Sequence, residues 1–133
     1  MLQLEKHLTV EAPLARVWAA LTDRASIAAW MVDEAAEVDL RVGGRVVFFG
    51  GETTGTLTEI QPQRVLEYTW RQDTWTEDWA DSRVRWELRA LSPSETEIHL
   101  IHSGFPNEDE RDSHDEGWHF YWLEPMCEWL LGR

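Results

Sequence analysis

Nine tryptophans, at positions 18, 30, 70, 75, 79, 86, 118, 122 and 129, outnumber the four phenylalanines and two tyrosines combined. An indole offers a broad apolar face and one N–H donor, which suits it to holding an apolar or aromatic molecule in a cavity and fixing its orientation. Trp30, Trp70, Trp86, Trp118 and Trp122 are the candidates for such a site. His102 joins them, because the alternation of Thr96, Ile98 and Leu100 carries it into an apolar row. An imidazole there either orients a ligand or, by exchanging a proton near neutral pH, serves as acid and base. Trp18 shares a helical stripe with Leu14 and Leu21 and reads as core. Trp75 and Trp79, four apart in the acidic stretch from Gln72 to Asp81, read as a lid over an entrance or as the cover for a neighbouring subunit.

Other chemistries find less to work with. His114 and His119 are five apart, about 140° around a helix, so they do not share the face that an i, i+4 zinc pair needs. No metal is expected there, and no cofactor is expected anywhere. The acidic run Glu108, Asp109, Glu110, Asp112, Asp115 and Glu116 suits a solvated helix start. Arg83, Arg85 and Arg89 form an outward row that pairs with acids on neighbouring strands, whereas His99 points outward too. Cys127 reads as a small packing residue. Gly43-Gly44 lies between two extended runs and is a turn, not a phosphate cradle.

The elements that must position these residues follow from periodicity. Leu2, Leu4, Leu8 and Val10 alternate with polar residues as a half-covered strand does. Leu14, Val17, Trp18 and Leu21 then mark a short helix behind Pro13, and Asp23 is the N-cap of a second one through Ile27 to Trp30. Val38, Leu40 and Val42 predict a strand that turns tightly at Gly43-Gly44 into Arg45 to Phe49. Further strands cover Gly55 to Ile60, Leu66 to Trp70, Val84 to Leu88 and Thr96 to His102. After Gly104 the period becomes helical, with Trp118, Tyr121, Trp122, Met126, Trp129 and Leu130 on one stripe. Asn107 with Glu110, and Ser113 with Glu116, are rival capping boxes for its start. Pro125 falls inside this helix, where it would forfeit the hydrogen bond to the Tyr121 carbonyl and bend the axis. The sum is an α+β arrangement: a curved antiparallel β-sheet wrapped around a long C-terminal α-helix, with two short helices after the first strand.

Composition sets the bounds. With 133 residues, 43% hydrophobic, the chain suits a single domain over 1–133 that buries one core. A formal net charge of −13 disfavours a nucleic-acid partner, whose phosphates attract Lys and Arg. No stretch reaches transmembrane length, so no membrane insertion is expected. One cysteine and no signal-like start point to the cytoplasm.

The order of these elements, and the wording at their joints, resembles the SRPBCC superfamily, which includes START lipid-transfer domains, polyketide cyclases and pollen-allergen-like ligand binders. The stretches that carry the likeness are VEAPLARVWAALTD from Val10 to Asp23, Trp30, RVGGRVVF from Arg41 to Phe48, and Gly55 to Trp70 with its Gln61-Pro62 turn. TEIHLIHSGF from Thr96 to Phe105 and Gly117-Trp118 complete them. Within the superfamily the chain looks like the small bacterial branch named after the activator of the ninety-kilodalton heat-shock protein ATPase. The resemblance implies the helix-grip fold, a ligand cavity between sheet and last helix, and a stress-response setting. Eukaryotic co-chaperones of that name carry a further amino-terminal domain, whereas this sequence begins with the first strand, so a chaperone partner is not the leading expectation.

The first expectation is therefore a non-enzymatic protein that binds a small hydrophobic molecule. One alternative is a cavity enzyme of cyclase or hydrolase type with His102 as acid and base. The other is a co-chaperone-like interaction module. The aromatic loop at Trp75 and Trp79 also points to a homodimer.

Overall fold

Seven strands whose inward residues are apolar, and a terminal helix with an aromatic stripe, build the molecule around one shared face. The structure, a computed structural model, describes residues 2–132. The strands are β1 (Gln3–Val10), β2 (Glu37–Val38), β3 (Arg45–Phe48), β4 (Thr53–Gln61), β5 (Val65–Gln72), β6 (Ser82–Ser92) and β7 (Glu95–Ser103). They form one antiparallel sheet in the order β1-β7-β6-β5-β4-β3-β2, so the first strand lies beside the last. Helices α1 (Leu14–Thr22) and α2 (Arg24–Met31) carry the chain from β1 to the opposite edge. Asp23 caps α2 as its spacing predicted, accepting from the Ser26 backbone N–H.

The inward rows are Val46 and Phe48, Leu66, Tyr68 and Trp70, Val84, Trp86 and Leu88, then Ile98, Leu100 and His102, all buried. The terminal helix crosses this face in three sections: α3 (Glu108–Gly117), a π-helical turn (Trp118–Leu123) and α4 (Glu124–Leu130). Asn107, not Ser113, is its cap, with the side chain accepting from the Glu110 N–H. Arg16 of α1 closes the far end, donating to the Leu130 and Trp129 carbonyls at 2.9 and 3.3 Å, where a cation suits the negative end of the helix.

Two expectations change. Pro125 stands at the start of α4, where a missing N–H costs little, and the irregularity appears one turn earlier as the π turn, with the Glu124 N–H reaching the His119 carbonyl. Residues four apart drift by about 40° per step around an α-helix. The wider turn takes up part of that drift, so Trp118, Trp122, Met126 and Leu130 are all buried against the sheet. The second change is at the glycine pair. Strand β2 stops at Val38, and residues 39–44 form a loop in which the Arg41 N–H donates to the Asp39 carbonyl and the Gly44 N–H to the Arg41 carbonyl. Leu40 and Val42 are exposed, since that loop folds on itself and leaves their alternation no partner strand. Gly44 is required by packing, because a Cβ there would lie 1.9 Å from the Asp39 carbonyl oxygen.

Candidate functional site

Trp70 at the end of β5, and Trp118 and Trp122 on the π turn, converge where the sheet and the terminal helix part. Their ring centroids lie 4.9 Å (Trp70–Trp118), 5.9 Å (Trp70–Trp122) and 4.8 Å (Trp118–Trp122) apart, in tilted contacts. With Phe49 and Gly117 they line a cavity of about 160 Å³, whose remaining wall is Thr53, Gln72, Ser113, His114 and Tyr121. Its lining is mainly aromatic, with polar groups from Thr53, Gln72, Ser113 and His114 among it.

The N–H of each neighbouring indole is already committed, which departs from the expectation that these groups would face a ligand. Trp118 donates to His102 Nδ1 at 3.0 Å, and Trp70 donates to His114 Nε2 at 3.1 Å. One layer deeper, Trp86 donates to the Tyr68 hydroxyl and Trp30 to the Ala20 carbonyl. Trp30 meets Trp122 edge-on at 5.5 Å, so Trp30 and Trp86 back the cavity wall without lining it. Trp122 is different. Among the described residues its N–H has no protein partner, and since His99 Nε2 is the one sealed side-chain nitrogen or oxygen left unpaired, the Trp122 N–H keeps slight contact with solvent. Thr53, Gln72, Ser113 and His114 are the polar side chains that line the cavity.

His102 is fully buried behind Trp118. Its Nδ1 accepts from Trp118, so the proton sits on Nε2 and is donated to Ser82 Oγ at 2.7 Å, while the Ser82 hydroxyl donates to the Trp70 carbonyl. Burial, and secondarily the nearby His114, hold its pKa well below the ordinary imidazole range. His114 is the site residue that spacing missed, though it stands one helical turn from Trp118. It accepts from Trp70 through Nε2 and donates from Nδ1 to the Glu110 carbonyl, and burial lowers its pKa against the opposing pull of Glu110. Trp75 is buried beside it, donating to the Glu110 carboxylate, and Trp79 packs edge-on against Trp75 at 6.2 Å. This loop thus closes over the start of α3, next to the cavity.

Two neutral histidines make stability depend on pH. The unfolded chain takes up protons on both below about pH 6.5, whereas the native state refuses them until its lower pKa values are reached. Stability is therefore intact above that pH and falls as pH drops, at up to about 1.4 kcal/mol per pH unit for each fully excluded proton, with the sealed His102 contributing more than His114. Urea midpoints measured between pH 7.5 and 5 should show this loss, reduced in His102→Gln. A midpoint flat over that range would show that neither histidine is held neutral.

A curved antiparallel sheet gripping a C-terminal helix, with two short helices after the first strand, is the helix-grip architecture of SRPBCC proteins. Residues 11–127 match the family model for activator of Hsp90 ATPase homolog 1-like proteins, and the chain belongs to that family. An Hsp90 activator from Plasmodium falciparum superposes with a TM-score of 0.87 at 25% identity, over 99% of this chain and 97% of that one. CalU16 from Micromonospora echinospora gives 0.82 at 25% identity, over 98% and 74%. The Aha1 dimer from Colwellia psychrerythraea gives 0.81 over 98% and 96%, and at 16% identity it speaks to fold alone. Among curated proteins no sequence matches the chain.

Proposed function

We propose that this protein binds a small aromatic or hydrophobic molecule of about one ring in the cavity framed by Trp70, Trp118 and Trp122. The observation that carries the reading is the cavity itself, about 160 Å³ of space with a mainly aromatic lining. An apolar protein cavity of about 150 Å³ takes up benzene, whereas sites for larger organic ligands run to about 300–1,000 Å³. A planar ring fits a space of this size better than a lipid tail does. The commitment of both His102 nitrogens supports binding over acid-base catalysis. We read the whole chain as one such domain, working in a reducing compartment where the half-buried Cys127 stays a thiol. Among the described residues, no helix is long and apolar enough to cross a membrane.

Native mass spectrometry of the purified protein, beside its denatured mass, is the test. A small mass retained and then released on denaturation is the expected result, and titrated indole should quench the tryptophan fluorescence saturably. Neither retention nor saturable quenching by indole, phenol or benzene would overturn the reading.

A second reading follows from the plasmodial relative, which is described as an Hsp90 activator and is covered almost end to end by this one domain. Capture of an Hsp90 protein by the immobilised chain, with stimulation of its ATPase, would support it. The same native spectrum reports whether this chain dimerises as the Colwellia protein does.

A further inference from the structure

The outer face of the sheet, opposite the cavity, carries a second cluster of chemically capable side chains. In the β1–β7 register His7 stands directly across from His99, and in the β6–β7 register Glu87 stands across from His99 on its other side. The His7 and His99 rings stack with centroids 3.9 Å apart. His99 Nδ1 lies 3.0 Å from Glu87 Oε1, and the other Glu87 oxygen accepts from Arg85 Nε at 2.8 Å. An ionised carboxylate only accepts, so Nδ1 carries a proton, and in the neutral ring the lone pair falls on Nε2. That nitrogen is sealed and has no hydrogen-bond partner among the described residues, and Glu5 Oε1 stands 3.8 Å from it. Donor atoms of Glu5, His7 and His99 all lie within 4.8 Å of one another.

We propose that Glu5, His7 and His99 bind a divalent late first-row transition metal ion, of which Zn²⁺ is the expected occupant, with water completing the coordination. Two imidazoles and one carboxylate select zinc, nickel or copper over calcium or magnesium. Tetrahedral donors around Zn²⁺ sit about 3.4 Å apart, from bonds of about 2.0–2.1 Å. Stacked rings cannot both aim a lone pair at one ion, so the exposed His7 must turn out of the stack, and the exposed Glu5 swing in, to close the set on His99. Glu87 is a positioning residue, the carboxylate that fixes the tautomer of a metal-binding histidine from behind.

The experiment titrates Zn²⁺ into untagged, EDTA-stripped protein against a chromophoric zinc indicator, with imidazole ¹H–¹⁵N spectra recorded alongside. One ion per chain is expected, with low-micromolar affinity. His7→Ala and His99→Ala should each weaken binding at least tenfold, and Zn²⁺ should shift the signals of His7 and His99 but not those of His102 and His114. His7 is exposed, so His7→Ala decides the matter even if His99→Ala folds poorly. An absence of saturable uptake, as an imidazolium merely paired with Glu5 would give, overturns the proposal, and so does uptake undiminished in His7→Ala.

Discussion

Trp118→Ala is expected to remove about 5 kcal/mol or more of stability, enough to unfold a domain whose whole margin is about 5–15 kcal/mol. Two losses add. Truncating a buried aromatic costs about 3–5 kcal/mol, and the Trp118 ring is 1% exposed, packed against Trp70, Trp86 and Trp122. The second loss is electrostatic: His102 Nδ1, sealed from water, would keep a lone pair with no donor, at about 1–3 kcal/mol. Trp118→Phe separates the two, because it keeps most of the packing and strands the same lone pair. In urea denaturation followed by far-UV circular dichroism, the Phe variant should lose about 1–3 kcal/mol. Its stability should also depend less on acid, since a stranded Nδ1 accepts a proton more readily than a paired one. A Phe variant as stable as the parent would mean that the indole–imidazole bond contributes nothing. Trp118 is thus a structural member of the cavity wall, and tests of binding belong on its neighbours.

How far the site is legible in the sequence depends on the kind of information each residue carries. Strand alternation alone sends Trp70, Trp86 and His102 inward, and helical spacing alone puts Trp118 and Trp122 on one face; the structure has all five buried there. The outward arginines likewise meet acids on the neighbouring strands, Arg83 and Arg85 reaching Glu67 and Arg89 reaching Glu97. Depth is not encoded in periodicity. Nothing in a period of two distinguishes Trp86, which lies behind the cavity wall, from Trp70, which lines it, because that depends on where the helix departs from the sheet. Nor does it reveal hydrogen bonds between elements, so His114 looks like one more polar residue in an acidic run until α3 is seen beside β5. The His7–His99 pair is hidden for a related reason: it exists only once the first strand is registered against the last. The loop at residues 39–44 shows the opposite failure, in which a correct alternation lacks a strand to pair with.

Gly117→Leu should abolish ligand binding while making the protein more stable, a pair of opposite signs that a generally disruptive substitution cannot produce. Gly117 is the last residue of α3 and has ordinary right-handed helical angles, so its backbone has no need of glycine. A Cβ built on it meets only the Tyr121 ring, at 3.9 Å, which is normal contact. Glycine inside a helix costs about 0.8–1.0 kcal/mol relative to alanine, and leucine is nearly as good a helix former as alanine. What glycine supplies here is space, because Gly117 forms part of the cavity wall between Trp118 and Ser113. A leucine side chain would take up much of a cavity of about 160 Å³ and leave too little room for a ligand's ring. Saturable indole quenching should disappear in Gly117→Leu, and Gly117→Ala should keep it with weakened affinity. Both variants should melt at or above the parent temperature, the alanine gaining about 1 kcal/mol. If Gly117→Leu binds indole as the parent does, the ligand sits elsewhere, and if both variants are destabilised, the glycine serves packing and not an opening.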